Sequence, residues 1–283
     1  MTYRKLLKTA ITKLEENNVY PAAAQLLLLS YCIEDQIDLY AEYDREVNPE
    51  LIDRFNIGIQ RLAQNEPLGY ILGYEPFFGR DIIVDRRVFI PRPETEELVA
   101  ETLMVIDGDY AREKQVLGLD IGTGSGAIPV TLMLEEPKIE MWAVDISEEA
   151  LEVAQANAGK YQVAVNFVLS DLFANLPDKL KFDFIICNPP YIRNDELLDA
   201  SVKDYEPHCA LFGGIRGLDF YERIMAEAKQ WLKPFSFMAF EIGYDQAEAL
   251  RQRAEDNYPD SEIEVKKDIN SKDRMLFIVN GKR

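Results

Sequence analysis

The sequence predicts an α/β protein: a seven-stranded, mostly parallel sheet with an antiparallel C-terminal hairpin, preceded by a small all-helical domain. Three observations carry this. From about Gln115 onward, short apolar runs alternate with runs of helical period, as strand–turn–helix units do when helices cover both faces of a parallel sheet. The last two apolar runs lie too close together for a crossover helix, so they read as an antiparallel pair. Before residue 73 the apolar positions recur at three- and four-residue spacing, without a strand-like stretch.

Taken in order, Leu6, Leu7, Ala10, Ile11 and Leu14 mark a first helix, closed by Glu15-Glu16-Asn17-Asn18. Pro21 suits the first turn of a second helix, Ala22 to Ile33. A third, shorter one is expected over Asp35 to Tyr43. Asn48-Pro49-Glu50 opens a fourth, with Ile52, Phe55, Ile59 and Leu62 on one face and Gly58, a poor helix former, inside it. This bundle, residues 1–73, holds no titratable constellation and reads either as structural or as a partner-recognition unit. The period then changes to two. Phe77 to Val84, Asp85-Arg86-Arg87 and Val88-Phe89-Ile90 predict a hairpin within a linker over 74–92. Pro93 starts a helix, Glu94 to Val105, with carboxylates in its first turn. In the remaining domain, 93–283, strands are expected at Val116–Asp120, Met141–Asp145, Val163–Leu169, Phe182–Cys187, Ser236–Glu241, Glu262–Val265 and Met275–Val279. Helices are expected at Ala127–Leu134, Glu148–Ala158, Phe220–Trp231 and Asp245–Asn257.

Composition narrows the classes of function. With 283 residues, 47% hydrophobic and 29% charged, the chain can bury a sizeable core and hold two domains. Lys+Arg 31 against Asp+Glu 50 gives a net charge of −19, which opposes non-specific binding to phosphate backbones. No apolar run approaches the ~20 residues of a membrane span, and the start has no signal-peptide pattern, so a cytoplasmic protein without a membrane partner is expected. Cys32, Cys187 and Cys209 form no CxxC pair, so neither a metal site nor a disulfide framework is expected, and Cys187 reads as a small buried hydrophobe.

Four constellations carry chemistry. Asp120-Ile121-Gly122-Thr123-Gly124-Ser125-Gly126 sits at the first strand-to-helix turn of the sheet domain. Its glycines allow a sharp turn and close approach of a ligand, and the helix N-terminus beyond offers unpaired N–H groups. The motif indicates a nucleotide-like ligand without choosing one. Asp145, twenty-three positions after Gly122, stands where an acid accepts ribose hydroxyls, while Ser147 is the better helix cap. Asp171, after the third strand, can accept from an exocyclic adenine amine, with Leu172 and Phe173 covering the ring. Asn188-Pro189-Pro190-Tyr191 follows the fourth strand. The prolines carry no N–H, so the Asn188 side-chain oxygen and the Pro189 carbonyl form an acceptor pair suited to a planar –NH2, and Tyr191 can stack on that plane. His208, the sole histidine, reads as a loop residue rather than a general base. Asp268, Asp273 and Arg274 read as solvated turn residues.

In this order and spacing, the glycine-rich turn, the ribose acid and Asn-Pro-Pro-Tyr resemble the class I S-adenosylmethionine-dependent methyltransferases. Glu66-Pro67-Leu68-Gly69-Tyr70-Ile71-Leu72-Gly73, Phe78-Gly79, Ile90-Pro91-Arg92-Pro93-Glu94-Thr95-Glu96, Glu206-Pro207, Ala210-Leu211, Gly213-Gly214, Gly217-Leu218, Tyr221 and Glu241-Ile242-Gly243 with Gln246 resemble the release factor glutamine methyltransferase (PrmC/HemK) family over nearly the whole chain. That resemblance implies a Rossmann-like methyltransferase sheet, S-adenosyl-L-methionine as cofactor and a substrate-recognising helical domain. It implies as substrate the Gly-Gly-Gln glutamine of class I peptide chain release factors, methylated on N5. It assigns catalysis to Asn188, Pro189, Pro190 and Tyr191. It assigns cofactor binding to Gly122, Thr123, Gly124, Ser125, Gly126, Asp145, Asp171, Leu172 and Asn188. Two positions depart from the family pattern: Arg216 replaces an acid, and Leu172 replaces an aromatic found in some members. The competing readings are a DNA adenine N6-methyltransferase, which needs a basic cleft and a flipped base, a non-catalytic nucleotide-binding module, and a dinucleotide oxidoreductase.

Overall fold

The structure is a computed structural model that describes residues 1–281. It comprises two compact units. One holds residues 1–74 and 198–205, and the other 75–197 and 206 onward.

The first unit is built from α1 (Tyr3–Glu16), α2 (Ala22–Glu34), α3 (Pro49–Leu62) and the short α4 (Leu68–Leu72). Its caps are those the sequence offers. Asn48 Oδ1 accepts from the Glu50 N–H at 3.0 Å, and Pro49 takes the first helical position, where a missing N–H costs nothing. Leu6, Leu14, Leu27, Phe55 and Ile59 meet in one buried cluster. A Cβ on Gly58 would lie 2.6 Å from Leu27 Cδ2. The glycine therefore lets α3 lie close against α2, which offsets its poor helix propensity. The helix expected over Asp35 to Tyr43 is replaced by turns. Gln36 adopts φ +58°, and Asp38 Oδ1 accepts from the N–H groups of Tyr40 and Ala41 at 3.0 and 3.1 Å. That carboxylate gives the backbone an alternative to helical bonds.

The hairpin pairs β1 (Tyr74–Phe77) with β2 (Arg80–Ile83) across Phe78 and Gly79, whose φ values are +51° and +73°. Two positive φ values make a two-residue turn that matches strand twist. The expected turn at Asp85-Arg86-Arg87 exists, but it is a separate bend: the Asp85 carboxylate accepts from the Arg87 N–H at 3.0 Å. Val88 and Ile90 continue as buried non-strand chain rather than as a second hairpin strand.

The second unit continues with α5 (Pro93–Asp109), β3 (Val116–Ile121), α6 (Ala127–Glu135), β4 (Ile139–Asp145), α7 (Glu148–Tyr161), β5 (Asn166–Leu169) and β6 (Phe182–Cys187). After α8 (Ala200–Lys203), which belongs to the first unit, come α9 (Asp219–Ala228), β7 (Leu232–Glu241), α10 (Ala247–Asn257), β8 (Glu262–Lys267) and β9 (Asp273–Asn280). β5 starts later than expected because Gln162 ends α7 in the left-handed region, at φ +56°. The sheet order is β5-β4-β3-β6-β7-β9-β8. The first five of these strands pair in parallel, and β9 runs antiparallel to both β7 and β8. The final pair is antiparallel as expected, with β9 inserted between β7 and β8. The chain winds outward from β3 to β5, then restarts on the other side of β3 with β6. This opens a crevice at the C-terminal ends of β3 and β6, the usual ligand position in such sheets. All six residues of β6 are buried. Asn157 of α7 fastens the hairpin to the glycine-rich turn: it accepts from the Ile83 N–H at 2.7 Å and donates to the carbonyls of Ile83 and Ser125 at 2.9 and 2.8 Å. Among the described residues, no helix is long and apolar enough to cross a membrane.

Candidate active site

At the switch point lies a cavity of about 370 Å³. Its floor is the turn after β3. Gly122, Gly124 and Gly126 adopt φ of +72°, +53° and +76°, a region closed to most side chains without strain. The turn is anchored by the N–H groups of Gly122 and Thr123, which donate to the Val144 carbonyl at 2.9 and 3.0 Å. Asp145 closes it: Oδ2 accepts from the Gly124 N–H and Oδ1 from the Ser147 N–H, both at 2.9 Å. Burial raises the Asp145 pKa, and those backbone donors oppose the rise. Ser147 caps α7 as expected, accepting from the Ala150 N–H at 3.1 Å. Behind the turn, Asp120 is fully buried with neither carboxylate oxygen hydrogen-bonded among the described residues, and burial pushes its pKa up to about 7.

Asn188-Pro189-Pro190-Tyr191, which follows the neighbouring strand β6, lines the same cavity. Gly213 and Gly217 pack directly on this loop's backbone: a Cβ on Gly213 would lie 2.3 Å from the Pro190 carbonyl oxygen, and one on Gly217 2.1 Å from that of Tyr191. A Cβ on Gly214 would meet the Asp219 carboxylate at 2.0 Å, so the exposed Asp219 side chain packs directly against Gly214. Arg216 points elsewhere and pairs with Glu222 at 3.1 Å. Arg92 forms an ion pair with the buried Glu206, whose Oε2 also accepts from the Ile90 N–H at 3.3 Å. The Arg92 guanidinium lies 4.6 Å from the ring centroid of Phe89, a cavity residue.

Beneath the tetrapeptide runs a buried polar network. Asn188 Nδ2 donates to Thr95 Oγ1 at 3.0 Å, and the Thr95 hydroxyl donates to Glu241 Oε2 at 2.6 Å. The Tyr191 hydroxyl donates to Glu241 Oε1 at 3.4 Å. Burial pushes Glu241 up to about 7, against the lowering effect of Thr95 and Arg274. Burial likewise raises the Tyr191 phenol. Arg274 and Asp268 are not solvated turn residues. The Asp268 side chain is buried, takes the N–H groups of Asn270 and Lys272 at 2.9 Å each, and pairs with Arg274 at 3.4 Å. Arg274 in turn donates to the Ile242 carbonyl at 3.3 Å. Asp273 is not a turn residue either: it is half-buried, opens β9 and pairs with the exposed Lys267 at 2.8 Å.

Of the residues assigned above to catalysis or cofactor binding, all line this cavity except Gly126, which is set behind it with its Cα face against Ala154. Phe173, expected to help cover the ring, is instead a core residue stacked on Trp231 at 5.9 Å and does not line the cavity. Leu172 presents a buried apolar side chain from a residue at φ +49°. Asp171 is exposed at the rim, where Arg223 Nη2 donates to both of its oxygens at 2.9 Å. His208 is exposed, edge-on to Phe212 at 5.8 Å, and does not line the cavity. The sequence reading gave no site role to Thr95, Phe89, Cys209, Phe212 or Arg223, which also line it. The Pro91-Arg92-Pro93-Glu94-Thr95 run was the available signal for Thr95.

Two solved structures share the fold: a methyltransferase from Pyrococcus furiosus (TM-score 0.54, 19% identity, 72% of this chain and 91% of that one) and the hMettl16 catalytic domain in complex with a MAT2A 3′UTR hairpin (TM-score 0.55, 16% identity, 80% and 81%). The sheet is that of a Rossmann-like methyltransferase, and residues 97–204 match the family model described as methyltransferase small domain. Residues 5–73 match the PrmC N-terminal domain. Release factor glutamine methyltransferases from Bacillus cereus (38% identity over 98% of this chain and 99% of theirs), Bacillus subtilis (39%, 97% and 96%) and Koribacter versatilis (39%, 89% and 90%) align with nearly the whole sequence. The chain belongs to the release factor glutamine methyltransferase family.

Proposed function

We propose that this enzyme transfers the methyl group of S-adenosyl-L-methionine to the side-chain amide N5 of the glutamine in the Gly-Gly-Gln motif of class I peptide chain release factors. The observation that carries this reading is that Asn188 and Pro189, the acceptor pair, line the same cavity as the glycine-rich turn. The helical unit is assigned to recognition of the release factor, and a translation substrate places the reaction in the cytoplasm.

The residues present fit the cofactor. The turn at Gly122, Thr123, Gly124 and Ser125 gives room for close approach, and Asp145 keeps lone pairs for ribose hydroxyls beyond those used by Gly124 and Ser147. Asp171 has acceptor capacity left for an exocyclic amine beside its Arg223 contact, and Leu172 covers an apolar ring. When bound, the cofactor supplies an electrophilic methyl on a sulfonium.

The chain's own residues then do the rest. An amide nitrogen is a poor nucleophile because its lone pair is delocalised into the carbonyl. Asn188 Oδ1 and the Pro189 carbonyl accept its two N–H bonds, fix its plane and favour the positive charge that develops on it. Tyr191 holds the amide plane from one side. The nitrogen becomes acidic on alkylation and releases its proton to water, so no strong base is required. Mass spectrometry of a release factor incubated with enzyme and cofactor tests the reading. A single methyl on the Gly-Gly-Gln glutamine, absent from a Gln→Ala substrate, is expected; methylation elsewhere or none at all overturns it.

A further inference from the structure

We propose that Thr95 is a positioning residue that sets which end of the Asn188 amide faces the substrate. The inference deepens the functional reading above and rests on it. Thr95 has one hydroxyl proton, and the Glu241 carboxylate 2.6 Å away takes it. Toward Asn188, at 3.0 Å, Thr95 can therefore act only as an acceptor. Only the –NH2 end of the asparagine satisfies that, which leaves Oδ1 for the cavity that Asn188 lines. The reverse orientation would set two lone pairs against each other beside a buried carboxylate, and it would present donors to a substrate –NH2 that has only donors to offer. Thr95 lies in the first turn of α5 and is 4% exposed, while Glu241 ends β7 and is 2% exposed, so both are shut off from the bulk solvent that would relax the constraint. Glu241 also receives the Tyr191 hydroxyl at 3.4 Å, so one carboxylate orients both functional ends of the tetrapeptide.

The test is a double-mutant cycle of Thr95→Val and Asn188→Ala, with Thr95→Ser and Thr95→Ala alongside, using purified release factor as methyl acceptor. Thr95→Val is expected to lower kcat about 30-fold, with cofactor Kd and substrate KM within about 3-fold of wild type, because positioning acts in the transition state. Thr95→Ser recovers to within about 5-fold of wild type, and Thr95→Val costs less than about 2-fold in the Asn188→Ala background. Thr95→Ala behaves as Thr95→Val, which separates loss of the hydroxyl from crowding by the added methyl. Full additivity in the cycle, or equal impairment of the serine and valine variants, overturns the proposal. If wild-type enzyme methylates no glutamine, the functional reading fails; if it does and Thr95→Val keeps its kcat, Thr95's role fails alone.

Discussion

Gln246 donates through Nε2 to the Tyr191 carbonyl at 2.9 Å and to that of Gly217 at 3.2 Å, while its Oε1 accepts from the Gly243 N–H at 2.9 Å. One amide at the start of α10 thus fastens the Asn188-Pro189-Pro190-Tyr191 loop to the glycine loop that precedes α9. The clamp closes only because Gly217 has no Cβ and sits at φ +69°. Gly217→Ala is expected to cost about 2 kcal/mol of stability or more and to lower methyl transfer at least about 10-fold. Thermal unfolding and kcat check this together; a variant with wild-type Tm and kcat contradicts the clamp.

Asp145 anchors the turn and is the proposed ribose acceptor, so its removal strikes the cofactor site twice. Asp145→Ala should weaken S-adenosylmethionine binding by about 2–3 kcal/mol, or roughly 30- to 150-fold in Kd. Isothermal titration measures this directly. An unchanged Kd would falsify the ribose assignment.

Glu241 is expected to give the reaction a pH dependence. The groups facing it are Thr95 and Glu94 from α5, Arg274 from β9, and Tyr191; Tyr221 of α9 donates to its backbone carbonyl at 2.7 Å. As a carboxylate it holds the Thr95 proton. Once protonated it no longer requires that proton, and Thr95 can donate toward Asn188. The kcat should therefore fall as pH drops through about 7, the value to which burial pushes Glu241. Glu241→Gln keeps an acceptor oxygen without titrating and should flatten this acid limb. An identical limb in the variant assigns it to another group.

Asp120 makes a stability prediction of the opposite pH sense to an ordinary paired carboxylate. Burial moves it from 3.8 to about 7 in the folded chain. Between these values the native state keeps a proton that the unfolded state has lost. Its contribution is present below about 4 and is lost as pH rises through about 7. Asp120→Asn should therefore raise the unfolding free energy more at pH 8 than at pH 5, the difference amounting to about 1–3 kcal/mol, with Tm following. Calorimetry at the two pH values decides it; an equal change at both refutes the buried-charge account.

The sequence by itself determined the alternation of strands and helices, the glycine-rich turn, Asp145 and the acceptor pair after β6. Each is written locally, in a period of two or 3.6, in glycines that alone tolerate positive φ, or in prolines that remove donors. Where a local rule met a competing side-chain bond the reading slipped, as at Asp38, whose carboxylate supports a turn where a helix was expected. Only the tertiary structure decided that β9 enters between β7 and β8, that Asp268 is buried and paired with Arg274, and that Thr95 and Glu241 lie under Asn188. Those relations join residues far apart in the chain. A residue's type states what it can donate or accept, but its partner is fixed only when packing brings distant strands and helix ends together.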